Sequence, residues 1–123
     1  MGDAPPAPSF LAPLRAKLAA WMDVSPQALE QALVTEYRPG TPLGWHRDAP
    51  DYGRIAGVSL GGWARMRLRR YPRGDDEPRV LNLAPRSAYQ MNGPARWRWQ
   101  HSIPATRELR YSITFRTLRA GNE

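Results

Sequence analysis

The chain has 123 residues, enough for one domain with a core and too few for two. It has no cysteine, which excludes disulfides, thiolate metal sites and cysteine nucleophiles, so any metal must be held by nitrogen and oxygen. The formal net charge is +7, and Lys17 is the only lysine among 18 basic residues. Arginine's planar fork suits phosphate, which inclines the reading toward a nucleic-acid partner, although a GC-rich gene writing solvated charge as arginine gives the same composition. No apolar run approaches the roughly 20 residues of a membrane span. The opening MGDAPPAPSF lacks the apolar core of a signal peptide, so a cytoplasmic protein with no membrane contact is expected.

In chain order, the Pro- and Ala-rich residues 1–8 are expected to form a disordered tail, with a single domain over 9–123. Ser9 is placed to cap a helix through Met22, because Leu11, Leu14, Leu18 and Trp21 recur at helical spacing. Ser25-Pro26 reads as the cap and first position of a short second helix through Gln31. From Leu33 the period changes to two. Strands are predicted over 32–38, 54–60, 63–71, 79–83, 87–92, 95–103 and 109–118, separated by clusters of Gly, Pro and Asn. Helices followed by a run of strands make an α+β order with a sandwich or barrel-like β portion. Asp75-Asp76-Glu77 falls in a solvated hairpin loop.

The stretch TEYRPGTPLGWHRD (35–48) presents His46 and Asp48 two positions apart. On an extended chain such a pair faces one side and can form half of a metal site. In WARMRLRRY (63–71), Arg65, Arg67 and Arg69 share one face, either a wet face or a phosphate-contacting ridge. Over 95–103, Trp97, Trp99, His101 and Ile103 share a face, with Arg96 and Arg98 opposite, so His101 points inward as a core residue or a ligand. Over 109–118, Leu109, Tyr111, Ile113 and Phe115 form an apolar face, and Arg110, Ser112, Thr114 and Arg116 form the other. The two arginines stand roughly 20 Å apart along the strand. If that face is buried they bracket a gap suited to a short dicarboxylate; if solvated, they are ordinary surface charge.

Two imidazoles and one carboxylate from His46, Asp48 and His101 match the donor set of non-haem Fe(II) oxygenases, which leaves open positions for a 2-oxo acid and O2. Zinc accepts the same donors, but a zinc hydrolase needs a separate general base. Arg110 and Arg116, if buried nearby, can pair with the carboxylates of the acid.

The segments TEYRPGTPLGWHRD, VSLG (58–61), NGPARWRWQHSIP (92–104) and RYSITFR (110–116) follow one another over roughly the last two-thirds of the chain. In that combination the chain resembles the AlkB-type family of 2-oxoglutarate- and Fe(II)-dependent dioxygenases. The resemblance implies a double-stranded β-helix (jelly-roll) core with the N-terminal helices packed on one side. It implies His46, Asp48 and His101 as the catalytic iron ligands. Arg110, assisted by Tyr37, would take the distal carboxylate of 2-oxoglutarate, and Arg116 would sit beside the chelating carboxylate and Asp48. Thr35 and Ser112 occupy positions near the 2-oxo acid where members of the family carry Asn. The implied activity uses Fe(II), 2-oxoglutarate and O2 to demethylate N-alkylated bases in DNA or RNA, releasing succinate, CO2 and formaldehyde.

Two departures bear on substrate. Pro50 stands where repair members carry an acidic residue, with Asp51 the nearest carboxylate. The chain also starts just before the core, without the lid that stacks on a flipped base. Base flipping needs stacking to offset its cost, which leaves Trp45, Tyr52 and Trp63, with Asp51 and Arg65, as candidate substrate contacts. A dioxygenase acting on a protein or small molecule, or a lidless non-catalytic nucleic-acid-binding core, remain alternative readings.

Overall fold

The structure, a computed structural model, describes residues 9–74 and 77–119; the expected tail over 1–8 and Asp75-Asp76 of the acidic loop lie outside the described residues. A 3-10 turn at Ser9–Leu11 leads into α1 (Ala12–Met22), with Pro13 in its first turn. Ser9 is not the cap: Leu11 holds that position and makes no side-chain cap bond. At the other end Asp23 turns left-handed (φ 59°), and the N–H groups of Asp23 and Val24 donate to the carbonyls of Ala20 and Ala19. This pattern closes the last turn of the helix. The inward stripe is Leu11, Leu18, Ala19 and Met22, while Trp21 is 52% exposed. Around the helix the stripe runs from Leu18 through Met22 to Ala19, and Trp21 lies on the other side of Leu18, beyond its edge. The second predicted helix is only a 3-10 turn, Pro26–Ala28, because the chain extends into a strand at Gln31.

Eight strands follow: β1 (Gln31–Tyr37), β2 (Leu43–His46), β3 (Tyr52–Gly61), β4 (Ala64–Arg70), β5 (Arg79–Leu83), β6 (Ser87–Met91), β7 (Trp99–Ile103) and β8 (Arg110–Leu118). They form two four-stranded antiparallel sheets, β1-β8-β3-β6 and β2-β7-β4-β5. Packed face to face with α1 on one side, they make the expected α+β jelly roll. β2 was not predicted, since LGWH is too short and too interrupted by glycine to show alternation. The strand expected over 95–103 is cut in half. Gly93 (φ 55°) and Pro94 open a helical turn, α2 (Gly93–Trp97), and pairing resumes only at Trp99. Arg96 therefore leaves the solvated face assigned to it and is buried, 3% exposed.

There are two apolar clusters. Outside the first sheet, Leu11, Leu18, Ala19, Met22 and Leu29 pack on Ala56, Val58, Ile113 and Phe115. Between the sheets lie Ile55, Ala64, Met66, Leu83, Met91 and Ile103. β8 is central to the first sheet, with β1 on one side and β3 on the other. Its apolar residues Ile113 and Phe115 meet α1, so Arg110, Ser112, Thr114 and Arg116 must face the second sheet. No described helix is long and apolar enough to cross a membrane.

Phe115, fully buried under α1, gives a direct check of this layering. Phe115→Ala is expected to lower stability by roughly 3–5 kcal/mol in urea unfolding. Val34→Ala, on a half-exposed residue of the neighbouring strand, should change it by only about 0.5 kcal/mol or less.

Candidate metal centre

β2 and β7 are paired with His46 opposite His101. The two rings lie 4.2 Å apart, tilted by 58°. His46 Nδ1 is 2.9 Å from the carbonyl of Gly44, which orients the ring and leaves Nε2 toward Asp48. Asp48 Oδ1 is 3.5 Å from His46 Nε2 and 3.7 Å from His101 Nε2. One ligand atom from each of the three residues falls within 4.8 Å of the others, close enough for one cation to reach all three.

The second oxygen of Asp48 is taken from the other side. Arg116 donates to Oδ2 through Nε (3.0 Å) and Nη2 (2.9 Å), and through Nη1 to Thr114 Oγ1 (2.8 Å). Burial pushes the Asp48 carboxyl up, but the hydrogen bond to His46 and the charge of Arg116 outweigh it and hold the group well below the usual carboxylate range. The hydrogen bond to Asp48 raises His46 above 6.5 against the opposing effect of burial. Burial, then the neighbouring His46, pushes His101 down to about 4. The trio thus offers one carboxylate, one imidazole that burial keeps neutral, and one imidazole, His46, that holds a proton to higher pH than usual.

The same cavity, about 280 Å³, is lined by Thr35, Tyr37, Arg110 and Ser112. Thr35 and Ser112 are register partners on β1 and β8, and the Tyr37 ring lies 5.1 Å from the Arg110 guanidinium carbon. Arg110 is 1% exposed. Its Nε donates to Ser59 Oγ at 2.9 Å, and its buried Nη1 has no hydrogen-bond partner among the described residues. A buried cationic donor left unpaired is costly and calls for an anion. A donor set of two imidazoles and a carboxylate, with an orphaned guanidinium farther along the inner row of β8, fits Fe(II) and a dicarboxylic 2-oxo acid. His46, Asp48 and His101 would hold the metal, and Arg110 with Tyr37 the far carboxylate.

The predicted substrate contacts scatter. Tyr52 stays beside the site, its ring 5.4 Å from the Arg116 guanidinium carbon. Asp51 is exposed in the loop before β3, its carbonyl accepting from the Arg119 N–H. Trp45 is not at the cavity: with His46 turned inward, period two sends Trp45 to the outer face, 5.1 and 4.3 Å from the guanidinium carbons of Arg67 and Arg69. Those two arginines also bond Ser102 and Gln100, so the predicted ridge is tied down on β7. Trp63, 62% exposed, and Arg65 line a separate cavity with Thr106 and Glu108, because Ala64 and Met66 take the inward positions of β4.

Two contributors were not anticipated. Tyr89 lines the metal cavity, its phenol raised to about 12 by burial and then by the Asp48 charge. It stands opposite Gly57, where any Cβ would collide with the Tyr89 ring. A glycine inside a strand pattern was the available signal for that close approach. Arg96 donates to the carbonyls of Ala49, Tyr52 and Gly53 at 2.7–2.8 Å, pinning the loop that follows Asp48. Nothing in the strand pattern assigned to 95–103 could have revealed it.

Two outcomes follow from these charges. Below the raised pKa of His46 metal binding displaces one proton, from His46, and none from Asp48 or His101, so affinity for Co(II) or Fe(II) should fall about tenfold per pH unit there and level off above it. A two-proton slope above pH 5 in a metal titration would contradict this assignment, since burial pushes His101 down to about 4. Arg110→Ala should raise the half-saturating 2-oxoglutarate concentration by about 100-fold or more, because it removes a buried charged partner. Its metal affinity without 2-oxoglutarate should match wild type.

The sequence matches the 2OG-Fe(II) oxygenase superfamily over residues 2–116. It is 35% identical over 105 residues to an uncharacterized protein of Acanthamoeba polyphaga mimivirus, a match covering 75% of this chain and 50% of that one. The chain thus spans about half the length of that relative. The solved structure of Drosophila melanogaster CENP-C bound to CAL1 superimposes with TM-score 0.55 at 8% identity, over 70% of this chain and 63% of that one. CapF, the capsular polysaccharide assembling protein of Staphylococcus aureus, does so with TM-score 0.54 at 17% identity, over 76% and 25%. At such identities these two likenesses speak to the fold alone. With its full catalytic segment inside the family match, the chain belongs to the 2OG-Fe(II) oxygenase superfamily, whose reaction uses Fe(II), 2-oxoglutarate and O2.

Proposed function

We propose that this oxygenase removes alkyl groups from N-alkylated bases in DNA or RNA, working in the cytoplasm as an alkylation-damage dealkylase of AlkB type. The observation that carries the reading is the shared cavity. The His46–Asp48–His101 cluster and the unpaired Arg110 donor open into one space, so an oxidant site and a 2-oxo-acid site lie together. The nucleic-acid choice is supported by the segment matches to AlkB-type proteins and by the net charge of +7. His46, whose side chain is 35% exposed, leaves the metal side open to an incoming base.

When bound, Fe(II) would activate O2, the oxidant: one oxygen atom ends in succinate as 2-oxoglutarate loses CO2, the other on the N-methyl carbon, and cleavage of the N–C bond then releases formaldehyde and the N–H base. The chain's own share is positional. Arg116 occupies Oδ2 of Asp48 and thereby aims Oδ1 between the imidazoles. Ile55, Met66 and Met91 form an apolar floor that limits water in the cavity. Arg110 and Tyr37 fix the acid at the far end of the inner row of β8, away from the side where a base would enter.

The reading predicts that an N-methylated single-stranded oligonucleotide, incubated aerobically with protein, Fe(II) and 2-oxoglutarate, loses its methyl group. Formaldehyde and succinate should form in equal amounts, and Asp48→Ala should abolish both. Succinate formation that no methylated oligonucleotide stimulates would remove the substrate proposal and leave the oxygenase chemistry in place.

A further inference from the structure

A second cavity, of about 450 Å³, shares Asp48 with the metal cavity. Its walls carry three arginines around two aromatic rings. The guanidinium carbons of Arg96 and Arg119 lie 4.1 and 4.7 Å from the Trp97 ring. Arg47 donates to the Trp97 carbonyl at 2.9 Å and lies 4.2 Å from the Tyr71 ring. These residues come from four separate parts of the chain, after β2, β4 and β8 and on α2.

The positions are fixed by backbone bonds. The Tyr71 N–H donates to the Arg98 carbonyl and the Arg119 N–H to the Asp51 carbonyl, both at 2.8 Å. Arg96 is held by the three carbonyls of the loop after Asp48. Among the described residues, neither Arg47 nor Arg96 makes an ion pair with a carboxylate. The one acid in the wall, Asp48, is already engaged by Arg116 and the imidazoles. A guanidinium lying over an aromatic ring can still present two N–H donors to a phosphate.

We propose that this cavity holds a backbone phosphate of the substrate strand, so that the neighbouring nucleotide reaches the metal on the other side of Asp48. The proposal rests on the nucleic-acid reading above and gives it a location. The exposed Arg47 and Arg119 make the entrance, and the buried Arg96 sets the potential behind them. Anchoring beside the metal also supplies binding free energy toward unstacking a base.

The test is fluorescence anisotropy of a labelled single-stranded oligothymidylate with the full chain, Mn(II) and 2-oxoglutarate, over a series of salt concentrations. Arg47→Glu and, separately, Arg119→Glu should each weaken binding by about 10-fold and flatten the log–log salt slope by about one. Arg86→Glu, an equal charge change in the exposed turn between β5 and β6, should do neither. Mn(II) affinity measured on the same samples separates loss of the phosphate contact from damage to the metal site. Equal weakening by all three variants would overturn the phosphate site while leaving nucleic-acid binding standing. Wild-type protein that fails to bind the oligonucleotide would remove the nucleic-acid reading and the site with it. Polyglutamate competing as well as polyphosphate at equal charge would also overturn the proposal, in favour of an acidic peptide.

Discussion

Over residues 112–115 β8 is buried on both faces, and its polar face is turned toward the other sheet. That arrangement is costly, because Arg110, Ser112, Thr114 and Arg116 all give up water. An unpaired buried polar group costs about 1–3 kcal/mol, and a charged one more. Most of the row finds partners within the fold: Arg116 takes Asp48 and Thr114, and Arg110 takes Ser59. One donor, Arg110 Nη1, does not. The inter-sheet space is thus half apolar core and half a polar cavity that an anion completes. α1 is what permits this, since it covers the apolar face of β8 and frees the opposite face for chemistry.

Asp48 links the two halves of the site by dividing its oxygens. Oδ1 faces both imidazoles and Oδ2 faces Arg116, so the guanidinium holds the carboxylate without competing for the side that a metal would use. The two histidines, though ring neighbours, are pushed in opposite directions. The hydrogen bond that His46 shares with Asp48 pushes it up, and the deeper burial of His101 pushes that one down. Behind Asp48, Arg96 holds the following loop through three carbonyls, which ties the metal side to the arginine-rich cavity beyond it.

Much of this was legible in the residues. The alternation of 109–118 separated the two faces of β8 correctly, and the HxD segment with His101 marked the donors that the fold gathers. What alternation could not decide was which face meets solvent, because a strand buried on both sides shows the same pattern as an amphipathic one. Trp45 was misplaced for a related reason. Proximity in sequence to His46 suggested proximity to the site, whereas period two sends adjacent side chains to opposite faces. Over 95–103 the apolar alternation concealed a helical turn set by Gly93 and Pro94, and with it the buried role of Arg96. The fit of Tyr89 over Gly57 is a contact between strands, present in neither segment alone.

The central claim is that one cavity holds a metal at His46, Asp48 and His101 and a 2-oxo acid reaching toward Arg110. Visible absorption under anaerobic conditions tests it most directly, with Fe(II) added first and 2-oxoglutarate second. A weak charge-transfer band that requires both components, and saturates at one iron per chain, is the predicted result. Iron that binds but yields no such band with 2-oxoglutarate would contradict it.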